Sequence, residues 1–240
     1  MGVQDRYQTF MADQRQFFDE LITEDWDSYR SQVWDTIRLY EIKKIFARVK
    51  PATILDVGCG CGYHDAAMAK YDFVQRVDAF DYSAKSVERA DEAYPHQKVH
   101  RFVADLTTFK PRERYDLVAS FQVFEHLVDT RVYFDCLRRA CKPGGTAVIV
   151  TPNRTRLSNK MRNWKRLPDE LCDPQHFREY TIREIHAEAK ANGFEPAGGF
   201  GYGLYGWPWL ERLPLSLRLR IGTLFPNAAH GIAVFSRAPR

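Results

Sequence analysis

The sequence of 240 residues contains no long apolar run. Nothing approaches the roughly 18 consecutive apolar residues that a membrane-spanning helix requires. No secretory leader is read either, because Asp5, Asp13, Asp19 and Glu20 interrupt the start of the chain. The five cysteines (Cys59, Cys61, Cys136, Cys141 and Cys172) are odd in number and fit neither zinc-ligand spacing nor a Cys-x-x-Cys redox pair. Reduced thiols, a cytoplasmic protein and no metal are therefore expected. Charge of one sign is missing too: 35 basic against 31 acidic residues leave +4, too mild to imply nucleic acid as a partner. There is no internal repeat and no low-complexity stretch. Two nucleotide-binding signatures are also absent. A dinucleotide fingerprint would need glycine where Tyr63 stands, and a P-loop would need Gly-Lys-Ser/Thr where Gly62-Tyr63-His64 stands.

What is present is an ordinary globular composition, 45% hydrophobic and 28% charged, with length enough for a sizeable core. The chain is read as one domain over 1–240, with N-terminal helices over 1–50, a binding core over 53–152, a lid and substrate region over 153–225 and a final strand within 226–240. The core opens on Thr53-Ile54-Leu55-Asp56-Val57-Gly58-Cys59-Gly60-Cys61-Gly62. Ile54, Leu55 and Val57 suit a strand buried on both faces. Gly58, Gly60 and Gly62 then supply a turn that lets a ligand approach the main chain. Asp56 stands at the strand's carboxyl end, where open α/β sheets hold their ligands.

From Thr53 the pattern alternates. Helix is expected over 63–70, strand near 76–80, helix over 83–93 capped by Ser83, and strand over 98–104. Strand follows over 115–120, helix over 129–141, then a Lys142-Pro143-Gly144-Gly145 turn into strand 146–151. Upstream, Phe10, Phe17, Phe18 and Leu21 form an apolar stripe followed by Trp26 and Tyr29, and a second helix is expected over 28–49. Downstream, Thr181 with Glu184 makes a capping box for a helix to Asn192, with Gly193 past its end. Strands are expected from Phe194 and over 231–237. Strand–helix alternation implies right-handed β-α-β units and a parallel sheet.

Each of the first four strands delivers something to one edge. The first brings Asp56 and the glycines, the second Asp81 and Tyr82, the third Asp105 and Leu106, the fourth Phe121 and Gln122. Asp81 follows Gly58 at close to the roughly 20-residue spacing at which a carboxylate accepts from a ribose diol. Asp105 is placed to accept from an exocyclic adenine amine. The plain alternative for each aspartate singly is a helix cap or a solvated loop acid.

ILDVGCGCG, FDYS, FVADL, YDLVASFQVFEHL and KPGGTAVIVTPN together resemble the class I S-adenosylmethionine-dependent methyltransferases, nearest to the ubiquinone-biosynthesis O-methyltransferase type. The resemblance implies an α/β, Rossmann-like fold: a seven-stranded, mostly parallel sheet with helices on both faces and a variable lid after strand five. It implies S-adenosylmethionine as cofactor and a small-molecule acceptor, with O-methylation of an isoprenoid-, quinone- or lipid-linked hydroxyl first among the reactions. N- or O-methylation of a sugar or natural product and a non-catalytic cofactor-binding partner subunit are the alternatives. It also assigns Arg38 to the cofactor's carboxylate, and Gly58, Asp81, Asp105 and Phe121 to the same ligand.

Two histidines are candidates for catalysis. His126 follows Glu125 just past strand four and titrates in a useful range, though the pair could equally pack or cap the next helix. His176 is second, with bracing of the lid as its plain alternative. His64, beside the glycine turn, reads as structural. Finally, Leu157, Met161 and Trp164 share a helical face amid Arg154, Arg156, Lys160, Arg162, Lys165 and Arg166. That basic amphipathic segment, 154–167, suits an anionic membrane, an acidic substrate or an ordinary surface. The relatives' membrane contact after strand five adds to the first of these. The Trp- and Leu-rich stretch 207–221 could line a hydrophobic pocket, a membrane face or a homodimer interface.

Overall fold

The computed structural model describes residues 31–240 together with Gln16, Asp19 and Glu20. The apolar stripe expected around Phe10–Leu21, and Trp26 and Tyr29, lie outside the described residues. Helix α1 (Gln32–Phe46) starts at Ser31, whose hydroxyl accepts from Trp34 N–H. It closes before Lys50-Pro51, as the restriction on residues preceding proline requires.

β1 (Thr53–Val57), α2 (Tyr63–Ala69), β2 (Arg76–Asp81), α3 (Ala84–Ala93), β3 (Val99–Val103) and β4 (Tyr115–Phe121) follow. A single 3-10 turn over Phe124–His126 precedes α4 (Thr130–Ala140) and β5 (Cys141–Pro152). Beyond these come α5 (Leu157–Trp164), α6 (Ile182–Ala191), β6 (Glu195–Tyr202), α7 (Pro208–Glu211), α8 (Leu215–Leu224) and β7 (Gly231–Arg237). The seven strands form one sheet in the order β3-β2-β1-β4-β5-β7-β6. Pairs among β1 to β5 are parallel, and β7 runs antiparallel to both β5 and β6. The chain winds outward in both directions from β1 and β4, and the crevice at that reversal is where such sheets bind ligands.

Alternation along the strands splits the core in two. Leu55, Val57, Phe80 and Val118 face α4 and α6 through Phe134, Leu137 and Ile185. Ile54, Val77, Leu117 and Val148 face α1, α2 and α8 through Ile42, Ile45, Met68 and Leu219. Both faces are covered, so the strands read as continuous apolar runs. Ser83 caps α3 by accepting from Ser86 N–H, and Thr181 with Glu184 forms the complete capping box of α6.

Two expectations change. The Lys142–Gly145 turn lies inside β5: Tyr115 pairs with Cys141 and Leu117 with Thr146, so the residues between bulge out of the ladder. Gly144 takes φ +71° there, and its N–H reaches Ala238 O at 3.2 Å. The second change concerns the basic segment. Arg156 is buried, donating to the Glu179 carboxylate and to the carbonyls of Asn153 and Glu170, so it belongs to the interior. Arg154 pairs with Glu184 at 2.7 Å and Arg162 with Glu170 at 2.9 Å. Trp164, 83% exposed, remains outward, beside exposed Lys160, Lys165 and Arg166.

Candidate functional site

The carboxyl edge of β1 and β2 carries a turn held by its own backbone. Gly58 and Cys59 N–H both donate to Phe80 O, at 2.8 and 2.9 Å. Gly58, Gly60 and Gly62 take φ of +73°, +48° and +76°. At Gly62 a Cβ would stand 2.5 Å from that of Ala90, so only glycine lets α3 come this close. Asp81 ends β2 and is buried. One oxygen accepts from Gly60 N–H and the other from Ser83 N–H, each at 2.9 Å. Burial raises its pKa above the usual carboxylate range, against those backbone donors. Asp81 thus fastens the glycine turn to the start of α3, with Tyr82 N–H as a third backbone donor, and a carboxylate with about four lone-pair sites keeps acceptor capacity for a ligand. Tyr82 stands beside it, half-buried.

Asp56 is 1% exposed, and neither oxygen has a hydrogen-bond partner among the described residues. Burial, and then the neighbouring Asp65 carboxylate, push its pKa well up. A buried acceptor without a donor needs an explanation, and at the glycine turn a ligand that brings N–H or O–H groups supplies one. Asp65 on α2 is neutralised by Arg101 of β3 through two bonds of 2.7 and 2.8 Å. Arg101 also reaches Gly62 O at 3.2 Å, Tyr94 O at 3.0 Å and Asp91 at 2.8 Å. Neither Arg101 nor Asp65 was anticipated.

Arg38 comes to the same turn from α1. It is buried, 3.5 Å from Asp35 and over the Tyr63 ring at 5.4 Å. One turn on, Glu41 accepts from His64 Nε2 at 2.9 Å. His64 stacks on Phe121 with ring centroids 3.8 Å apart. Phe121 is therefore packed within the core and covered on one face by an imidazole that burial keeps low in pKa. Gln122 is exposed and holds φ +56°, an uncommon backbone angle for a side chain that is not glycine, at the very end of β4. Asp105 lies further out: one of its oxygens accepts from the backbone and hydroxyl of Thr107, at 2.8 and 2.7 Å, and Leu106 packs against the core.

A second cluster sits beyond β4. Glu125 is fully buried; Oε2 accepts from Thr151 at 2.9 Å, while Oε1 has no hydrogen-bond partner among the described residues. Burial lifts its pKa to about 7. His126 Nδ1 bonds the Gln175 carbonyl at 3.0 Å, which makes Nδ1 the protonated nitrogen, and burial lowers its pKa to about 4. His176 is buried, 4.9 Å from the His126 ring between centroids, with Nδ1 3.1 Å from Glu179 Oε1. The Phe177 and Arg178 N–H groups donate to Glu125 O, at 2.8 and 3.1 Å, and bring His176 across. The two sequence-proposed histidines thus adjoin each other, and Glu125 joins them.

A family model described as a methyltransferase domain matches residues 26–197. Among curated proteins, a probable S-adenosylmethionine-dependent methyltransferase of Mycolicibacterium smegmatis is 32% identical over 143 residues, covering 59% of this chain and 51% of that protein. The ubiquinone biosynthesis O-methyltransferase of Rickettsia prowazekii is 32% identical over 119 residues, covering 48% of this chain and 46% of that one. A 2-methyl-6-phytyl-1,4-hydroquinone methyltransferase of Synechocystis is 34% identical over 104 residues, 42% of this chain and 32% of the other. The chain spans about half or less of the length of these relatives. Among solved structures, the DhpI–SAH complex superposes with a TM-score of 0.67 at 14% identity, covering 96% of this chain and 98% of that one. The complex of the Haloferax volcanii Trm112 methyltransferase activator with a putative methyltransferase gives 0.67 at 18% identity, with 93% and 98% covered. These structural likenesses speak to the fold. With residues 26–197 matched by the family model and its sheet shared with these structures, the chain belongs to the methyltransferase-domain family.

Proposed function

We propose that this domain transfers a methyl group from S-adenosylmethionine to an oxygen of a small-molecule acceptor. The observation that carries the reading is the buried Asp56 carboxyl, which has no donor among the described residues, set against a glycine turn that Asp81 fastens. When bound, the cofactor supplies an electrophilic methyl group on a positively charged sulfur, with its own leaving group. The chain's residues bind and align. Asp81 offers its remaining acceptor positions to a ribose diol, Asp56 accepts at the turn, and Arg38 offers a guanidinium to a carboxylate. Asp105 and Leu106 border the adenine side; Tyr82, Phe121 and Gln122 line the strand ends. Alignment alone supplies roughly 7–11 kcal/mol of a barrier. Calorimetric titration of the full chain with S-adenosylmethionine tests the reading, and absence of binding overturns it.

His126 is the first candidate to receive a hydrogen bond from the acceptor hydroxyl, because the Gln175 carbonyl fixes its proton on Nδ1 and leaves the lone pair on Nε2; burial lowers its pKa to about 4, below the useful range expected from the sequence, so it orients that hydroxyl more than it removes its proton. His126→Ala should lower turnover about 100-fold, the lower end of what such a group contributes, with cofactor affinity held. Full turnover in that variant removes the assignment, and His176 is next in line.

The acceptor class that fits best is an isoprenoid- or quinone-like hydroxyl. Relatives named for ubiquinone and hydroquinone substrates support it, as do the exposed apolar side chains of Trp207, Trp209 and Leu217, within the 153–225 stretch expected to hold the acceptor. Exposed Trp164, Lys160, Lys165 and Arg166 support peripheral contact with an anionic membrane. No helix among the described residues is long and apolar enough to cross one. Flotation with anionic liposomes should carry the protein upward, and Trp164→Ala with Lys160→Glu and Lys165→Glu should reduce the floated fraction several-fold. Equal flotation of both proteins removes the contact.

A further inference from the structure

We propose that Tyr205 and Arg218 together bind an anionic oxygen group, carboxylate in class, carried by the methyl acceptor. Calling its bearer the methyl acceptor rests on the methyl-transfer reading; the anion affinity does not. Two atoms point to the site. Tyr205 Oη and Arg218 Nε are both buried, and neither has a hydrogen-bond partner among the described residues. The Arg218 guanidinium stands over the Tyr205 ring, 4.9 Å from its centroid. A phenol and a guanidinium both donate. Two neighbouring donors without acceptors call for a ligand that brings oxygen lone pairs, and the charge on Arg218 favours an ionised one. The planar fork of arginine suits a carboxylate in particular.

The fold builds this pair from three segments. Just past β6, Gly203 takes φ +70°, and the Tyr205 ring folds back onto it: a Cβ on Gly203 would stand 2.6 Å from that ring. The Gly203 carbonyl accepts from His230 N–H at 2.8 Å, and the His230 ring meets that of Tyr205 edge-on, with centroids 5.1 Å apart. Helix α8 presses onto the same point through Gly222, where a Cβ would stand 2.4 Å from Gly203 N. Arg218 lies one turn before Gly222 on that inward side, which sets its guanidinium on the ring. Burial raises the Tyr205 pKa against the pull of Arg218, and the nearby Glu41 carboxylate adds to the rise, so the phenol keeps the proton it donates. Glu41 itself already accepts from His64 Nε2 at 2.9 Å.

Strand order puts the pair on the acceptor's side rather than the cofactor's. The ribose and adenine assignments fall on β2 and β3, and β6 is the opposite edge strand of the sheet. Because β7 is antiparallel to both β5 and β6, β6 runs parallel to β5, and the residues after Tyr202 emerge at the same edge as Asp56 and Phe121. Helix α1 links the two halves. Glu41 bonds His64, which stacks on Phe121, and after burial the same carboxylate raises the pKa of Tyr202 at the end of β6. Arg38 is a separate guanidinium at the glycine turn, over Tyr63 at 5.4 Å. A cofactor carboxylate and an acceptor carboxylate thus each have an arginine. Trp207 and Trp209 follow Tyr205 directly and are exposed, which offers the acceptor's apolar body a surface next to its anionic head.

The test titrates the full chain calorimetrically with benzoate and octanoate, each against its amide, and with inorganic phosphate. S-adenosylmethionine is titrated on the same samples. Each acid should bind at least about 10-fold more tightly than its amide, as hydrogen bonds to a charged group require. Tyr205→Phe and Arg218→Met should each erase most of that preference. Arg218→Lys should keep part of it, because the charge stays and the fork is lost. S-adenosylmethionine affinity should hold in all three variants. The phenol also has a signature that a structural hydroxyl lacks: with no partner to lose, Tyr205→Phe should leave the unfolding midpoint of the ligand-free chain unchanged or higher. If Arg218→Met does not fold, Tyr205→Phe decides. Equal binding of acid and amide by the parent, a preference that survives Tyr205→Phe, or a lowered midpoint in that variant overturns the site. Phosphate binding more tightly than either acid overturns the carboxylate assignment. Absence of S-adenosylmethionine binding strikes the methyl-transfer reading alone.

Discussion

Replacing Arg101 with methionine should lower the unfolding free energy by about 3–5 kcal/mol, the usual cost of leaving a buried charge without its partner. The Arg101 side chain is 1% exposed and Asp65 is fully buried. The guanidinium makes a two-pronged contact with Asp65 and uses its remaining donors on Asp91, Gly62 O and Tyr94 O. Methionine restores much of the volume and none of the donors. Asp65 would then stand buried and uncompensated near Asp56, whose own carboxyl Arg101 helps to hold down against burial. Urea unfolding followed by circular dichroism reads the loss, which should appear as a shift in midpoint at constant slope. The double variant Arg101→Met, Asp65→Leu should recover a large part of it, because removing both charges leaves no orphan. A loss under 1 kcal/mol in the single variant, or no recovery in the double, shows that the network is not what holds α2 and α3 to β3.

Much of this fold was legible in the chain because local chemistry and global packing agree. The buried runs of β1, β2, β4 and β5, Ser83 at the start of α3, and Thr181, Glu184 and Gly193 around α6 each carry their instruction within a few residues. The ends of the strands were readable for the same reason, since Asp56 and Asp81 stand at the carboxyl ends of β1 and β2 and Asp105 comes just after β3. What escaped depends on partners distant in sequence. Arg101 is a buried charge inside Val99–Val103, beside an exposed His100, and it signals a buried partner without naming Asp65. Arg156 sits on a helix edge that looks solvated until Glu179 folds against it. The Glu125–His176 pairing joins residues about 50 positions apart through two backbone bonds that no periodicity encodes. The bulge at Lys142–Gly145 was visible as a turn, and only the register with Tyr115 shows that the strand begins before it.

Asp81→Ala should have two separable effects. The first is on the fold. Gly60 and Ser83 N–H lose their acceptor, and a buried donor left unmade costs about 1–3 kcal/mol. Two of them predict a stability loss of about 2–6 kcal/mol, and a glycine turn no longer fastened to the start of α3. The second is on the ligand: a ribose diol loses the carboxylate, which should weaken S-adenosylmethionine by a further roughly 1–3 kcal/mol, about 5- to 150-fold. Titration at a temperature where the variant remains folded isolates the second from the first. Asp81→Asn divides them differently. Its carbonyl can still accept one N–H, but its amide turns two donors toward the other, so it should keep part of the stability and lose most of the affinity. Ser83→Ala supplies the control. It removes the α3 cap, worth about 1 kcal/mol, and the hydroxyl's bond to Asp19, yet keeps the backbone N–H on Asp81, so cofactor affinity should hold. A folded Asp81→Ala chain that binds as tightly as the parent takes Asp81 out of the ribose role. If Ser83→Ala loses affinity as much as Asp81→Ala does, the effect belongs to the shape of the turn rather than to the carboxylate.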